Sequence, residues 1–298
     1  MSLRNVIYYN AGNDQIPLGL GLNELPYTDV IVANLQPTSA TDRTLKGWGN
    51  AFDPQLQNNI RWLQRANKNV LISFGGGLDD KLTTAAYQFY AGNVNLLVNQ
   101  IVGFVNQFNF NGVDIDYEDD AGFGNNAAYD GVEFLSALTS GLAQALPSGR
   151  NIITHAPQTP YWDSHSNFAR GGIAPYFQIW QNVGTKIAWI NNQFYNNSGY
   201  DATAALKVQK YEDVAGLIGA QQLLMGVSLN TATPNGDEGA ETLSDIASNV
   251  IPPLKAKYGS QFGGVVGWQF SDDGPPFYDQ GGAWGNGISQ ALHPEGTG

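Results

Sequence analysis

Short apolar runs alternate along this chain with longer stretches in which apolar residues recur at helical spacing. The short runs predict eight strands: Val6–Tyr9, Asp29–Leu35, Asn69–Phe74, Gly112–Glu118, Asn151–Ala156, Ile187–Tyr195, Leu223–Leu229 and Gly264–Phe270. Helical patterns fall between most of them. Pro54–Ala66 follows the cap-like Asp53, and Thr84–Phe108 is long and apolar at helical spacing. Ala127–Leu146 ends at Pro147, and Ala202–Leu217 and Glu241–Lys257 complete the set, the last interrupted by Pro252-Pro253. The helical pattern is faintest after the first strand. Eight strands with intervening helices predict an α/β fold, a (β/α)8 barrel. An open doubly wound sheet would want a glycine-rich phosphate turn after the first strand, and Asn10-Ala-Gly-Asn-Asp14 is not one. With no repeat, linker or low-complexity tract, the expectation is one domain over residues 1–298, ending in a poorly ordered tail at 293–298.

The fourth predicted strand carries the chemistry. In Asn111-Gly-Val-Asp-Ile-Asp-Tyr-Glu118, three carboxylates, Asp114, Asp116 and Glu118, stand at two-residue spacing with Val113, Ile115 and Tyr117 between them. Side chains alternate across a strand, so the acids share one face over roughly 13 Å. Burying three acids together is costly unless they share protons and hydrogen bonds. Such arrangements serve acid–base chemistry, because neighbouring carboxyls are driven to different pKa values. On a barrel strand Asp114 would sit deepest, Asp116 above it and Glu118 at the rim. The acids could instead face water from an edge strand, but the flanking apolar residues argue against that.

Composition narrows the partners. The net charge is −12 and the pI about 4.4, which disfavours nucleic acid and anionic membrane surfaces. Only 13% of the 298 residues are charged, against 36 glycines, which suits neutral polar ligands. With no cysteine, disulfides and thiolate chemistry are excluded. His155, His165 and His293 lie too far apart for metal-ligand spacing, so no metal and no cofactor are expected. His155 reads as a satisfied structural group. No apolar run approaches the length of a membrane span, and Met1–Tyr9 lacks a signal-peptide pattern. Nothing argues for an oligomer, so a monomer is expected.

Asn111–Glu118 resembles the signature of glycoside hydrolase family 18, the family of chitinases and endo-β-N-acetylglucosaminidases, usually Asp-Gly-x-Asp-x-Asp-x-Glu. This chain departs at the first place, with Asn111. Ser73-Phe-Gly-Gly76 resembles the family's Ser-x-Gly-Gly element, a small-residue turn that would let a sugar approach the backbone at Ser73, Gly75 and Gly76. Thr154-His-Ala-Pro-Gln-Thr-Pro160 and Gln193-Phe-Tyr-Asn196 resemble the fifth- and sixth-strand segments of plant class III, hevamine-like chitinases. Gly267-Trp-Gln-Phe-Ser271 resembles the eighth-strand segment carrying a tryptophan. Those plant relatives usually carry disulfides, which this chain cannot.

The resemblance implies retaining glycosidase chemistry in which the substrate assists, an exception among retaining enzymes. The sugar's 2-acetamido oxygen would attack its own anomeric carbon. Glu118 would protonate the leaving oxygen and then activate water. Asp116 would hold the acetamido nitrogen, Asp114 would share a proton with Asp116, and Tyr195 would donate to the acetamido oxygen. Trp268 would form the floor under the sugar, with Gln158, Gln193 and Tyr8 as further lining; Tyr8, like Tyr9, could equally be core. Tyr161, Trp162 and Trp284 are candidate stacking residues, Asp272-Asp273 reads as a solvated loop, and Asn196-Asn-Ser198 matches a glycosylation acceptor. The implied partner is chitin or a chitooligosaccharide. An endo-β-N-acetylglucosaminidase acting on N-linked glycans, or a non-catalytic lectin, are the alternatives. The resemblance also favours secretion.

Overall fold

Continuous burial, more than alternation, marks the strands. Every residue of β5 (Gly112–Tyr117), β7 (Trp189–Gln193) and β8 (Leu223–Ser228) is buried. Parallel strands covered on both faces behave this way. The computed structural model describes residues 3–10, 24–48, 52, 55–231, 236–270 and 282–294. Among these residues the remaining strands are β1 (Arg4–Asn10), β2 (Asp29–Pro37), β3 (Leu45–Gly47), β4 (Asn69–Gly76), β6 (Ile152–His155) and β9 (Gly264–Trp268). They form one sheet in the order β1-β9-β8-β7-β6-β5-β4-β2-β3, and an additional β1–β2 pairing closes it. The result is the expected α/β architecture, a (β/α)8 barrel, in which β3 is an extra strand antiparallel to β2.

The helices are α1 (Leu56–Arg65), α2 (Thr84–Gly92), α3 (Val94–Phe108), α4 (Gly131–Ala145), α5 (Pro175–Val183), α6 (Ala204–Ile218), α7 (Leu243–Asp245), α8 (Ile251–Tyr258) and α9 (Ala283–Leu292). Several boundaries follow from capping. Asp130 accepts from Glu133 N at 2.9 Å, so α4 starts at Gly131 instead of Ala127. The predicted helix Thr84–Phe108 is two helices, because Asn93 leaves helical geometry and its Nδ2 bonds the Phe89 carbonyl at 2.9 Å. Pro252 and Pro253 lie in the first turn of α8, where missing N–H groups cost nothing; the irregularity is a π turn, Ile246–Val250, just before them. Helices α5 and α9 and strand β3 were not foreseen. Asp53, Pro54, Asp272, Asp273 and the tail residues 295–298 lie outside the described residues.

By internal contacts the chain divides into two compact units: Met1–Val32, Gly49–Val70 and Asn191–Gly298 in the first, Ala33–Trp48 and Leu71–Ile190 in the second. The second has an aromatic core in which Tyr87, Tyr117, Phe123, Phe134, Tyr161 and Tyr176 meet mostly edge to face. In the first, β1, β8 and β9 pack Val6, Ile7, Met225 and Val265 out of solvent. No described helix is long and apolar enough to cross a membrane.

Candidate active site

Three strands of the second unit build the acid face. Ser73 on β4, Asp114 on β5 and Thr154 on β6 stand in one register row. Asp114 is fully buried and accepts hydroxyl hydrogen bonds on both oxygens, from Ser73 Oγ at 3.1 Å and Thr154 Oγ1 at 2.5 Å. This gives a buried carboxyl the partners it needs. Burial then declines along the face: Asp116 is 4% exposed, and Glu118, one residue past the strand, is partly exposed.

The glycines beside this face have separate reasons. Gly75, at φ +124°, pairs with Asp116; a Cβ there would stand 1.8 Å from the Asp116 carbonyl oxygen. Its smallness therefore serves the approach of β4 to β5. Gly76, at φ +94°, and Gly77 do leave room by the carboxylates. A Cβ on Gly76 would lie 3.9 Å from Asp116 Oδ2, and one on Gly77 3.5 Å from Glu118 Oε2. A Cβ at either position would reach van der Waals contact with a carboxylate.

Just past Glu118 the chain is pinned. Asp119, 1% exposed, accepts from Thr84 Oγ1, Tyr129 Oη and Ala121 N at 2.9, 2.9 and 3.1 Å. Tyr129 gives its proton to Asp119, so Tyr117 Oη donates to Tyr129 at 2.6 Å. Burial raises the pKa of both phenols, which keeps them as donors. Asp120 accepts from Tyr161 Oη at 2.7 Å. Glu118 thus projects from a fixed backbone. This network was not foreseen, although the pair Asp119-Asp120 directly after the acid strand was its visible trace.

His155 is a structural group, as expected. Thr139 donates its hydroxyl proton to the Leu135 carbonyl at 2.7 Å, so His155 Nε2 donates to Thr139 at 3.0 Å and Nδ1 faces Tyr176 Oη at 3.4 Å. Burial lowers its pKa from 6.5 to about 3. Between those values the unfolded chain takes up a proton that the folded one refuses. Stability should therefore fall as pH drops through that window, by up to about 1.4 kcal/mol per unit. A His155→Gln variant is expected to lose stability less steeply between pH 6.5 and 4. Equal slopes in melting experiments would refute this origin.

Other residues fall differently. Gln158 is partly exposed and opens the turn Thr159–Trp162, its carbonyl accepting from Tyr161 N at 3.1 Å. Tyr161, Trp162 and Trp284 are at most 5% exposed, so the stacking role considered for them gives way to packing: Tyr161 and Trp162 lie against Tyr176, and Trp284 stacks on Tyr27.

In the first unit, Tyr8 and the strand-end Trp268 meet edge to face at 5.5 Å. Tyr8 is buried and Trp268 is partly exposed. Gln193 ends β7, and both Gln193 and Tyr195 are buried. Asn197 Nδ2 holds this turn by donating to the Tyr195 and Gln193 carbonyls at 2.6 and 3.2 Å. Asp201 Oδ2 accepts from Asn197 N at 2.6 Å, and the buried Lys207 bonds the Asp201 carbonyl and pairs with Glu241 at 3.4 Å. Exposed Asn196 exchanges two bonds of 2.8 Å with the Glu238 backbone.

Two positions on the β2–β3 hairpin were missed. Asn34 on β2 and Trp48 after β3 each bury a side-chain N–H without a partner among the described residues. A lone polar residue inside the apolar run Val30–Leu35 was the signal for Asn34. No described cluster of acids and histidines could hold a metal ion.

A barrel with three carboxylates in line at the end of a strand is an arrangement suited to acid–base chemistry. Comparison with known proteins makes this specific. The family model for glycosyl hydrolases family 18 matches residues 4–273. A chitinase structure of the same family from Pseudoalteromonas aurantia is 33% identical, with a TM-score of 0.84 over 96% of this chain and 99% of that one. A fungal endo-beta-N-acetylglucosaminidase shares the fold at 22% identity and a TM-score of 0.74, over 99% of each chain. Endochitinase 37 of Trichoderma harzianum is 24% identical over 232 residues, 70% of this chain; the match spans 64% of the length of that curated relative. The chain belongs to glycosyl hydrolase family 18.

Proposed function

We propose that this protein is a chitinase. It hydrolyses β-1,4 bonds of N-acetylglucosamine polymers with retention, through an oxazolinium intermediate. The observation that carries the reading is the acid face: Asp114 held by Ser73 and Thr154, then Asp116, then Glu118 toward solvent. In the first step the substrate's acetamido oxygen bonds to the anomeric carbon. The glycosidic bond breaks and Glu118 protonates the departing oxygen. Asp116 receives the acetamido N–H and balances the positive ring. In the second step Glu118, now a carboxylate, takes a proton from water. The water oxygen bonds to the anomeric carbon and the acetamido group is restored. The similarity to a chitinase at 33% identity supports chitin over N-linked glycans as the substrate.

Incubation with the N-acetylglucosamine tetramer and hexamer, followed by product analysis, tests this. Cleavage by the wild type is expected. Release of glycans from an N-glycoprotein with the oligosaccharides intact would favour an endo-β-N-acetylglucosaminidase. Binding without cleavage of either would make the protein a lectin.

The resemblance gives the Tyr195 hydroxyl a hydrogen bond to the acetamido oxygen. Tyr195→Phe should then lower kcat/KM by about tenfold, the value of one well-placed hydrogen bond. An unchanged rate would return Tyr195 to packing.

A further inference from the structure

We propose that the β2–β3 hairpin is a substrate-binding edge, where Asn34 Nδ2 and Trp48 Nε1 donate hydrogen bonds to oxygens of the bound chitooligosaccharide. This rests on the chitinase reading and deepens it.

Both donors are buried and have no partner among the described residues. A buried N–H left unpaired is costly, and sites that must bind a polar ligand are where such groups are kept. The two belong together, since Trp48 N donates to the Asn34 carbonyl at 3.2 Å. Gln36 Nε2 ties the same strand to the Gly75 carbonyl at 3.4 Å. The Asn34 amide also borders the acid face. A Cβ on Gly76 would stand 3.1 Å from Asn34 Nδ2 and 3.9 Å from Asp116 Oδ2, so glycine leaves open the spot that both groups flank. Trp48 is partly exposed, and the ammonium groups of Lys46 and Lys81 lie 4.9 and 4.6 Å from its ring centre. Those cations hold the indole in place.

The ligand chemistry fits. An N-acetylglucosamine chain is neutral and offers hydroxyl and acetamido oxygens along its length. An amide beside a carboxylate, with an indole N–H on the same hairpin, complements it, the carboxylate taking an N–H or hydroxyl while the amide and indole serve its oxygens.

Asn34→Leu and Trp48→Phe test the proposal: the first keeps the bulk and removes the donor, the second keeps an aromatic ring and removes the indole N–H. Affinity for the N-acetylglucosamine tetramer and hexamer is measured by calorimetry in the Glu118→Gln background, and kcat and KM in the wild-type background. Asn34→Leu should weaken binding at least tenfold and raise KM, while the melting temperature stays level or rises as an unpaired buried donor is lost. Trp48→Phe should weaken binding several-fold. Should Asn34→Leu fail to fold, Asn34→Ala and Trp48→Phe carry the same test. Unchanged affinity in the variants, or a lowered melting temperature with unchanged affinity, would overturn the proposal and leave both residues to packing. If the wild type neither cleaves nor binds the oligosaccharides, the chitinase reading fails and the hairpin proposal fails with it, an outcome visible before any hairpin variant is made.

Discussion

Glu118→Gln is expected to lower kcat by several orders of magnitude while oligosaccharide affinity stays within a few-fold. Glutamine keeps the shape of the side chain and its hydrogen-bonding reach but can neither give nor take the proton. Both chemical steps use that proton, and general acid–base catalysis alone contributes about 10²–10⁴-fold. The fold should not suffer. Glu118 lies just past the end of β5 and is partly exposed, and the backbone after it is held by Asp119. Rates on the N-acetylglucosamine tetramer, paired with calorimetric binding, separate the two effects. Hydrolysis close to the wild-type rate would sink the assignment of Glu118.

The contrast between what could be read in advance and what could not has physical causes. The acid face was legible because strand periodicity is two and needs no knowledge of neighbouring strands. The barrel was legible because buried parallel strands read as short apolar runs between amphipathic segments. Strand β3 escaped because Leu45–Gly47 is too short to show a period. The break at Asn93 escaped because the apolar spacing continues across it, while a local side-chain bond decides the geometry.

Within the site the same division holds. Asp114, Asp116 and Glu118 announced themselves, yet the hydroxyls that satisfy Asp114 come from two other strands and depend on register. Gly75 looked like a place for a ligand to approach, whereas its near neighbour is the Asp116 carbonyl of the adjacent strand. The aromatics Tyr161, Trp162 and Trp284 could be weighed only once their burial was known. Asn34 shows both sides: its polarity in an apolar run was visible, but only the packing around Gly76 gives it a location by Asp116.

Asp116→Asn should reduce kcat/KM on the order of 10²–10³, the range found when one preorganised electrostatic contact to a developing charge is removed. The amide is nearly isosteric, so the change is confined to charge. It removes the negative group that faces the positive oxazolinium and can present an N–H where the acetamido nitrogen needs an acceptor. Melting temperatures of the variant and the wild type check that the fold is kept. The double variant Asp116→Asn/Glu118→Gln is the sharper test. Without protonation of the leaving oxygen the oxazolinium scarcely forms, so little charge remains for Asp116 to stabilise. The double variant is therefore expected to be hardly slower than Glu118→Gln alone. Rates for the two single variants and the double variant on one oligosaccharide decide the matter. Losses that simply multiply would mean that Asp116 and Glu118 act in independent steps, and the coupled scheme would fall.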